Sequence, residues 1–179
     1  MRQDSGVPMR IPLSALALVA VTAATASMPA EAVLASRFRV ETAARVCQGA
    51  LPQFAGTLRA RPLAIRNEGT EMAYVSCGWE TSINGSQPVT SVGLRLTNPT
   101  ATPVYASCTM VHGWFAAPTA VVYFPRTVLL DPAETENITW SADQLPGGLL
   151  TRPSVSCALP PGIELRYLNT LFQSEVGLR

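Results

Sequence analysis

The chain contains no lysine; every permanently positive side chain is an arginine. That excludes Schiff-base chemistry and a P-loop, both of which need an ε-amino group. Histidine is nearly absent as well, and His112 stands alone. General acid–base chemistry near neutral pH therefore has a single imidazole to work with. Net charge is close to zero, at +1 for the full chain, so neither nucleic acid nor an anionic membrane is favoured as a partner. There is no Gly-x-Gly-x-x-Gly fingerprint, no Gly-x-Ser-x-Gly elbow and no expected repeat of fixed length. No long helical period follows Cys47, which disfavours folds built on a parallel sheet.

What is present begins with a leader-like segment. Arg2 and Arg10 precede an apolar run from Ile11 to Ala26, and Ala24-Thr25-Ala26 and Ala30-Glu31-Ala32 offer small-residue cleavage patterns. This is the layout of a secretory signal peptide over residues 1–32, with cleavage after Ala26 or Ala32. The apolar run is shorter than the ~20 residues needed to span a bilayer, so no membrane span is expected after cleavage. The expected location is periplasmic or extracellular. Four cysteines, Cys47, Cys77, Cys108 and Cys157, follow the leader. An even count in an exported chain points to two disulfides, with three possible connectivities. Sequential pairing, Cys47–Cys77 and Cys108–Cys157, is favoured because each loop then encloses a few neighbouring strands. Their spacings are far longer than those of zinc sites, and no metal or other cofactor is expected.

Residues 33–56 read as an N-terminal arm or short helix, and residues 57–179 as the folded domain. Alternation runs through the second part. Leu63 and Ile65 share a face, as do Ala73, Val75, Cys77 and Trp79. Val92, Leu94 and Leu96 point one way and Arg95 the other. Val104, Ala106, Cys108, Met110 and His112 alternate with Tyr105, Ser107, Thr109 and Val111, a strand with both faces largely covered. Ala120–Phe124, Ile138 with Trp140, Val155 with Cys157 and Leu159, and a last strand from Ile163 into Leu168 complete the set. Asn84-Gly85 is the strongest turn signal, and Asn98-Pro99 and Asp131-Pro132 break the chain between strands. Seven to nine short strands predict an all-β fold, an antiparallel β-sandwich of jelly-roll or Ig-like type whose sheets are pinned by two disulfides, with Trp79 and Trp140 as core fillers.

The run Cys157-Ala158-Leu159-Pro160-Pro161-Gly162-Ile163 and the tail Ser174-Glu175-Val176-Gly177 resemble the end of a loose group of small secreted bacterial proteins. Pro62–Asn67, Tyr74–Cys77 and Cys108–Val111 are similar to that group as well. The resemblance spans Cys47 to Gly177 and implies export, β-structure and two disulfides, with no activity attached.

Candidate chemistry is sparse. A Ser-His-Asp arrangement would have to join His112 to Asp131 or Asp143. A carboxylate pair would have to come from Glu134 and Glu136, with Asp131 nearby. Neither set has a supporting motif, and no catalytic residue is assigned. Trp114 and Phe115 lie outside any alternating pattern, beside Gly113 and Pro118, and form a candidate recognition patch for a sugar ring or a protein. Asn84 and Asn137 sit in glycosylation sequons that a bacterial-type leader leaves without expected modification. The functional expectation is a non-enzymatic exported module, with a cell-envelope protein or a glycan as partner. Carbohydrate binding through the loop aromatics and a small hydrolase using His112 are the alternatives.

Overall fold

The computed structural model describes residues 33–79, 89–113, 121–145, 148, 150 and 152–176. The leader-like segment, Asn84-Gly85, and Trp114 with Phe115 lie outside them. Eleven strands are present among the described residues: β1 (Val33–Thr42), β2 (Cys47–Gly49), β3 (Leu58–Arg61), β4 (Ala64–Asn67), β5 (Ala73–Gly78), β6 (Val89–Thr97), β7 (Val104–His112), β8 (Val122–Leu130), β9 (Thr135–Ser141), β10 (Ser154–Leu159) and β11 (Glu164–Val176). They form two antiparallel sheets. Sheet A runs β3-β4-β11-β6-β9 with β1 also on β11, and sheet B runs β2-β5-β10-β7-β8. The antiparallel sandwich expected from the alternation is therefore the fold. The strand total exceeds nine because the N-terminal part contributes β1, β2 and β3.

Period-2 patterning explains which side each strand buries. Val75 and Cys77 on β5, Val92, Leu94 and Leu96 on β6, and Ala106, Cys108 and Met110 on β7 all face the interior. Ile138 and Trp140 on β9, Val155, Cys157 and Leu159 on β10, and Leu165 and Leu168 on β11 do the same. Trp79 and Trp140 meet edge to face at 6.3 Å between centroids. Each indole N–H donates to a main-chain carbonyl, Trp79 to Gly93 and Trp140 to Phe124, which removes the cost of burying it.

A repeat absent from the sequence expectation emerges in the hydrogen bonding. Asn67 and Asn98 are both fully buried and stand where the chain leaves sheet A for sheet B. The Asn67 Nδ2 donates to Leu159 O and Glu71 O, both at 2.8 Å, and its Oδ1 accepts from the Gly69 N–H at 3.0 Å. The Asn98 Nδ2 donates to Leu130 O at 2.9 Å and Thr102 O at 2.8 Å, and its Oδ1 accepts from the Thr100 N–H at 2.9 Å. Main-chain bonds match too. Asn67 N–H donates to Ile163 O and its carbonyl accepts from Gly162, while Asn98 pairs with Glu134 and Ala133 in the same way. Gly162 (φ 82°) and Ala133 (φ 62°) take the same left-handed turn at equivalent positions. Asn67, Tyr74, Ser76 and Cys77 recur as Asn98, Tyr105, Ser107 and Cys108. The sandwich is thus two similar quartets, with β6-β7-β8-β9 inserted between β5 and β10 of the other, joined through β11–β6 and β10–β7. Signals this short are drowned by the different residues around them, which is why no repeat stands out in the sequence.

Three local expectations are corrected. Residues 33–56 are not an arm or a lone helix: β1 pairs along its length with β11, one helical turn (Ala43–Val46) crosses to β2, and Pro52–Gly56 form a 3-10 turn. β1 escapes pattern reading because most of its residues stay exposed on both faces. Leu63 is exposed, in the turn between β3 and β4, and Ile65 alone of that pair is buried. The last strand runs to Val176 rather than Leu168, since β1 offers it a partner beyond the core. Both disulfides have the expected sequential pairing, and each joins neighbouring strands of sheet B. Cys47 stands directly opposite Cys77, and Cys108 opposite Cys157.

Candidate binding surface

β7 was expected to be covered on both sides. Its inner side is, but the outer side is open to solvent, with Tyr105 66% exposed. The registers of sheet B lay out that outer face row by row. Tyr74, Ala158, Ser107 and Thr127 stand side by side across β5, β10, β7 and β8. Ser76, Ser156, Thr109 and Pro125 form the next row, then Gly78, Ser154, Val111 and Tyr123. Tyr105 and Leu129 close the near end, and Gln48 of β2 flanks Ser76.

No outward position among these described residues carries a charge. The centre is a floor of small hydroxyl side chains, and Ser107 and Thr127 share a hydrogen bond of 2.6 Å. Three exposed tyrosines stand around it. Tyr74 and Tyr105 are the equivalent tyrosines of the two quartets, one strand apart across β10, which sets them about 10 Å apart across the sheet. Tyr123 lies roughly 20 Å from Tyr105 along the strand direction at the ~3.4 Å rise of an antiparallel strand. Phe54 of the 3-10 turn packs against the Tyr74 ring with centroids 5.7 Å apart, and Tyr74 stays exposed. At the β2 side the face runs into a cleft of about 440 Å³ lined by Gln48, Ser76, Ser154 and Arg45.

β8 reaches this geometry as a single strand through Pro125 to Leu130, well past the Ala120–Phe124 run that alternation marks. β8 is an edge of sheet B, and an edge strand tolerates a residue without an N–H. The outer tyrosines went unread as a site because alternation alone does not say whether a second layer covers the far face.

The residues considered for catalysis are placed as follows. His112 is half-buried at the end of β7, eight residues beyond Val104, whose partner is Leu130. Asp131 follows Leu130, so the two are roughly 27 Å apart by strand rise and share no site. Asp143 lies in the 3-10 turn Ala142–Gln144 after β9, at the His112 end. The Glu134 carboxylate is engaged by the Asp131 N–H at 2.6 Å, closing the turn between β8 and β9. Among the described residues no group of three His, Cys, Asp or Glu side chains is placed to hold a metal ion.

No protein-family model matches the sequence, and no curated protein matches it. Among solved structures the chain is similar to a carbohydrate binding module from glycoside hydrolase family 9 (Cel9A) of Ruminococcus flavefaciens FD-1. That match has 12% identity and a TM-score of 0.39, covering 55% of this chain and 82% of the other. It is also similar to TmCBM61, solved with beta-1,4-galactotriose, at 11% identity and a TM-score of 0.39, covering 78% of this chain and 88% of that one. At that overlap the likeness carries no inference about ligand or activity.

Proposed function

We propose that the protein is an exported, non-catalytic β-sandwich module that docks an uncharged glycan on the outer face of sheet B. The observation that carries this reading is the face itself: three exposed tyrosines around a floor of Ser and Thr hydroxyls, with no charged side chain at the outward row positions of β5, β10, β7 and β8 among the described residues. A sugar ring has an apolar C–H face and a polar hydroxyl rim. Tyrosine rings suit the first, being large and apolar with one polar tip. Hydroxyl side chains suit the second, since each both donates and accepts. A charge buried beneath a neutral ligand would lose water without a counter-charge; among the described residues the rows of this floor hold none, and Arg45 lies in the cleft at the β2 side.

Export is supported by the leader-like segment and by two cystines, which persist in oxidising compartments. The resemblance to small secreted bacterial proteins agrees with it. A cell-envelope protein is the second reading, because tyrosine is enriched where proteins meet.

Retention of the native chain on insoluble neutral polysaccharides tests the proposal. Wild type is expected to be retained, and Tyr105→Ser combined with Tyr123→Ser to lose most of that retention with an unchanged circular dichroism spectrum. Equal retention of both, or none on any neutral polysaccharide, would refute it.

A further inference from the structure

The outer face of sheet A has the opposite character. Arg59 of β3 stands directly opposite Arg66 of β4, a like-charge cross-strand pair that costs stability unless something offsets it. Glu164 lies 3.9 Å from Arg66, and Glu68 pairs with Arg61. Arg95 and Arg166 have no carboxylate partner among the described residues. Arg95 stands opposite Tyr167 of β11; its Nη1 donates to the Tyr167 hydroxyl at 3.1 Å and its guanidinium lies 5.7 Å from the ring centroid.

A β-bulge between Leu165 and Tyr167 sets Arg166 beside Tyr167. Bulges re-aim side chains in this way next to functional sites. Here lies a groove of about 440 Å³ lined by Arg95, Arg166 and Tyr167, by Leu63 and Val40, and by Thr42 and Thr135. That volume falls in the range of about 300–1,000 Å³ typical of small-molecule sites.

We propose that this groove binds a carboxylate-bearing saccharide unit, an acidic sugar whose carboxylate is held by Arg166 and Arg95. A guanidinium is a planar fork that matches a carboxylate with two parallel hydrogen bonds. Arg95 spends one N–H on Tyr167, and among the described residues its other N–H groups and those of Arg166 are left for a ligand. The Tyr167 ring and the Leu63 and Val40 side chains provide apolar walls for the face of a sugar ring. The Thr42 and Thr135 hydroxyls lie within the same lining. The ligand is neutral on the sheet B face and anionic here, and the two sites lie on opposite outer faces, so either reading can fail without the other.

Calorimetric titration of the native chain with digalacturonate, digalactose and inorganic phosphate tests it. Digalacturonate is expected to bind at least tenfold more tightly than digalactose, with affinity falling as salt is raised. R166Q is expected to weaken digalacturonate at least tenfold at an unchanged melting temperature, while Tyr105→Ser leaves it unaltered. R95Q serves as the second variant and is expected to weaken binding in the same direction. No binding of digalacturonate, equal binding of digalactose, displacement by phosphate at equal concentration, or indifference to both arginine changes would each overturn the proposal.

Discussion

Asn98 binds sheet to sheet through one side-chain amide. Its Nδ2 serves Leu130 O on β8 and Thr102 O in the arch, and its Oδ1 serves the Thr100 N–H. Asn98→Ala leaves those main-chain groups without partners in a buried place, and a loss of about 2–4 kcal/mol is expected, read by urea denaturation. A second test contrasts the two left-handed residues. Gly162→Ala puts a Cβ 2.5 Å from the Thr100 methyl at φ 82° and is expected to destabilise. Ala133→Gly relieves a left-handed alanine at φ 62°, which costs about 1–2 kcal/mol. It is expected to be neutral or stabilising by up to about 1 kcal/mol once the entropy of glycine is counted. Melting temperatures moving in opposite directions or by clearly different amounts are the expected outcome; equal losses would contradict the equivalence of the turns. Neither asparagine was legible as a clasp in the sequence. Asn98 before Pro99 reads as a strand breaker, and Asn67 before Glu68-Gly69 as a turn. Their shared role depends on carbonyls 32 and 92 residues away.

At the scale of elements, the inner alternation was readable and the outer faces were not. Val92, Leu94, Leu96, Cys108 and Met110 declare themselves by period 2 because burial punishes every polar exception. Tyr105 and Tyr123 obey the same period, but whether a layer lies over them depends on chain far away. β1 carries its apolar residues exposed and so gives no signal. The disulfides follow from the same registers. Cys108–Cys157 joins β7 to β10, the seam between the two quartets, and Cys47–Cys77 ties β2 onto β5. Their sequence separations are 49 and 30 residues, for which chain entropy gives about 4 and 3.5 kcal/mol as upper guides. Replacing Cys108 and Cys157 with serine is expected to lower stability by about 2–4 kcal/mol. Replacing Cys47 and Cys77, which close the shorter loop, is expected to cost less; a larger loss from that pair would contradict this ranking.

Over the whole molecule, two outer faces of opposite chemistry cover one apolar core. Among the described residues the rows across β5, β10, β7 and β8 present tyrosine and hydroxyl without charge, and sheet A presents arginine. With a net charge of only +1, composition conceals this division, because it sums charges over the chain without saying on which face each one stands. The most direct measurement is amide chemical-shift mapping of the native chain titrated with neutral oligosaccharides. The expected shifts fall on Tyr74, Ser76, Tyr105, Ser107, Tyr123 and Ser156, with the β6 and β9 amides still. Shifts confined to residues 112–122, or to sheet A, or none at saturating sugar, would contradict the assignment of the tyrosine face as the docking surface.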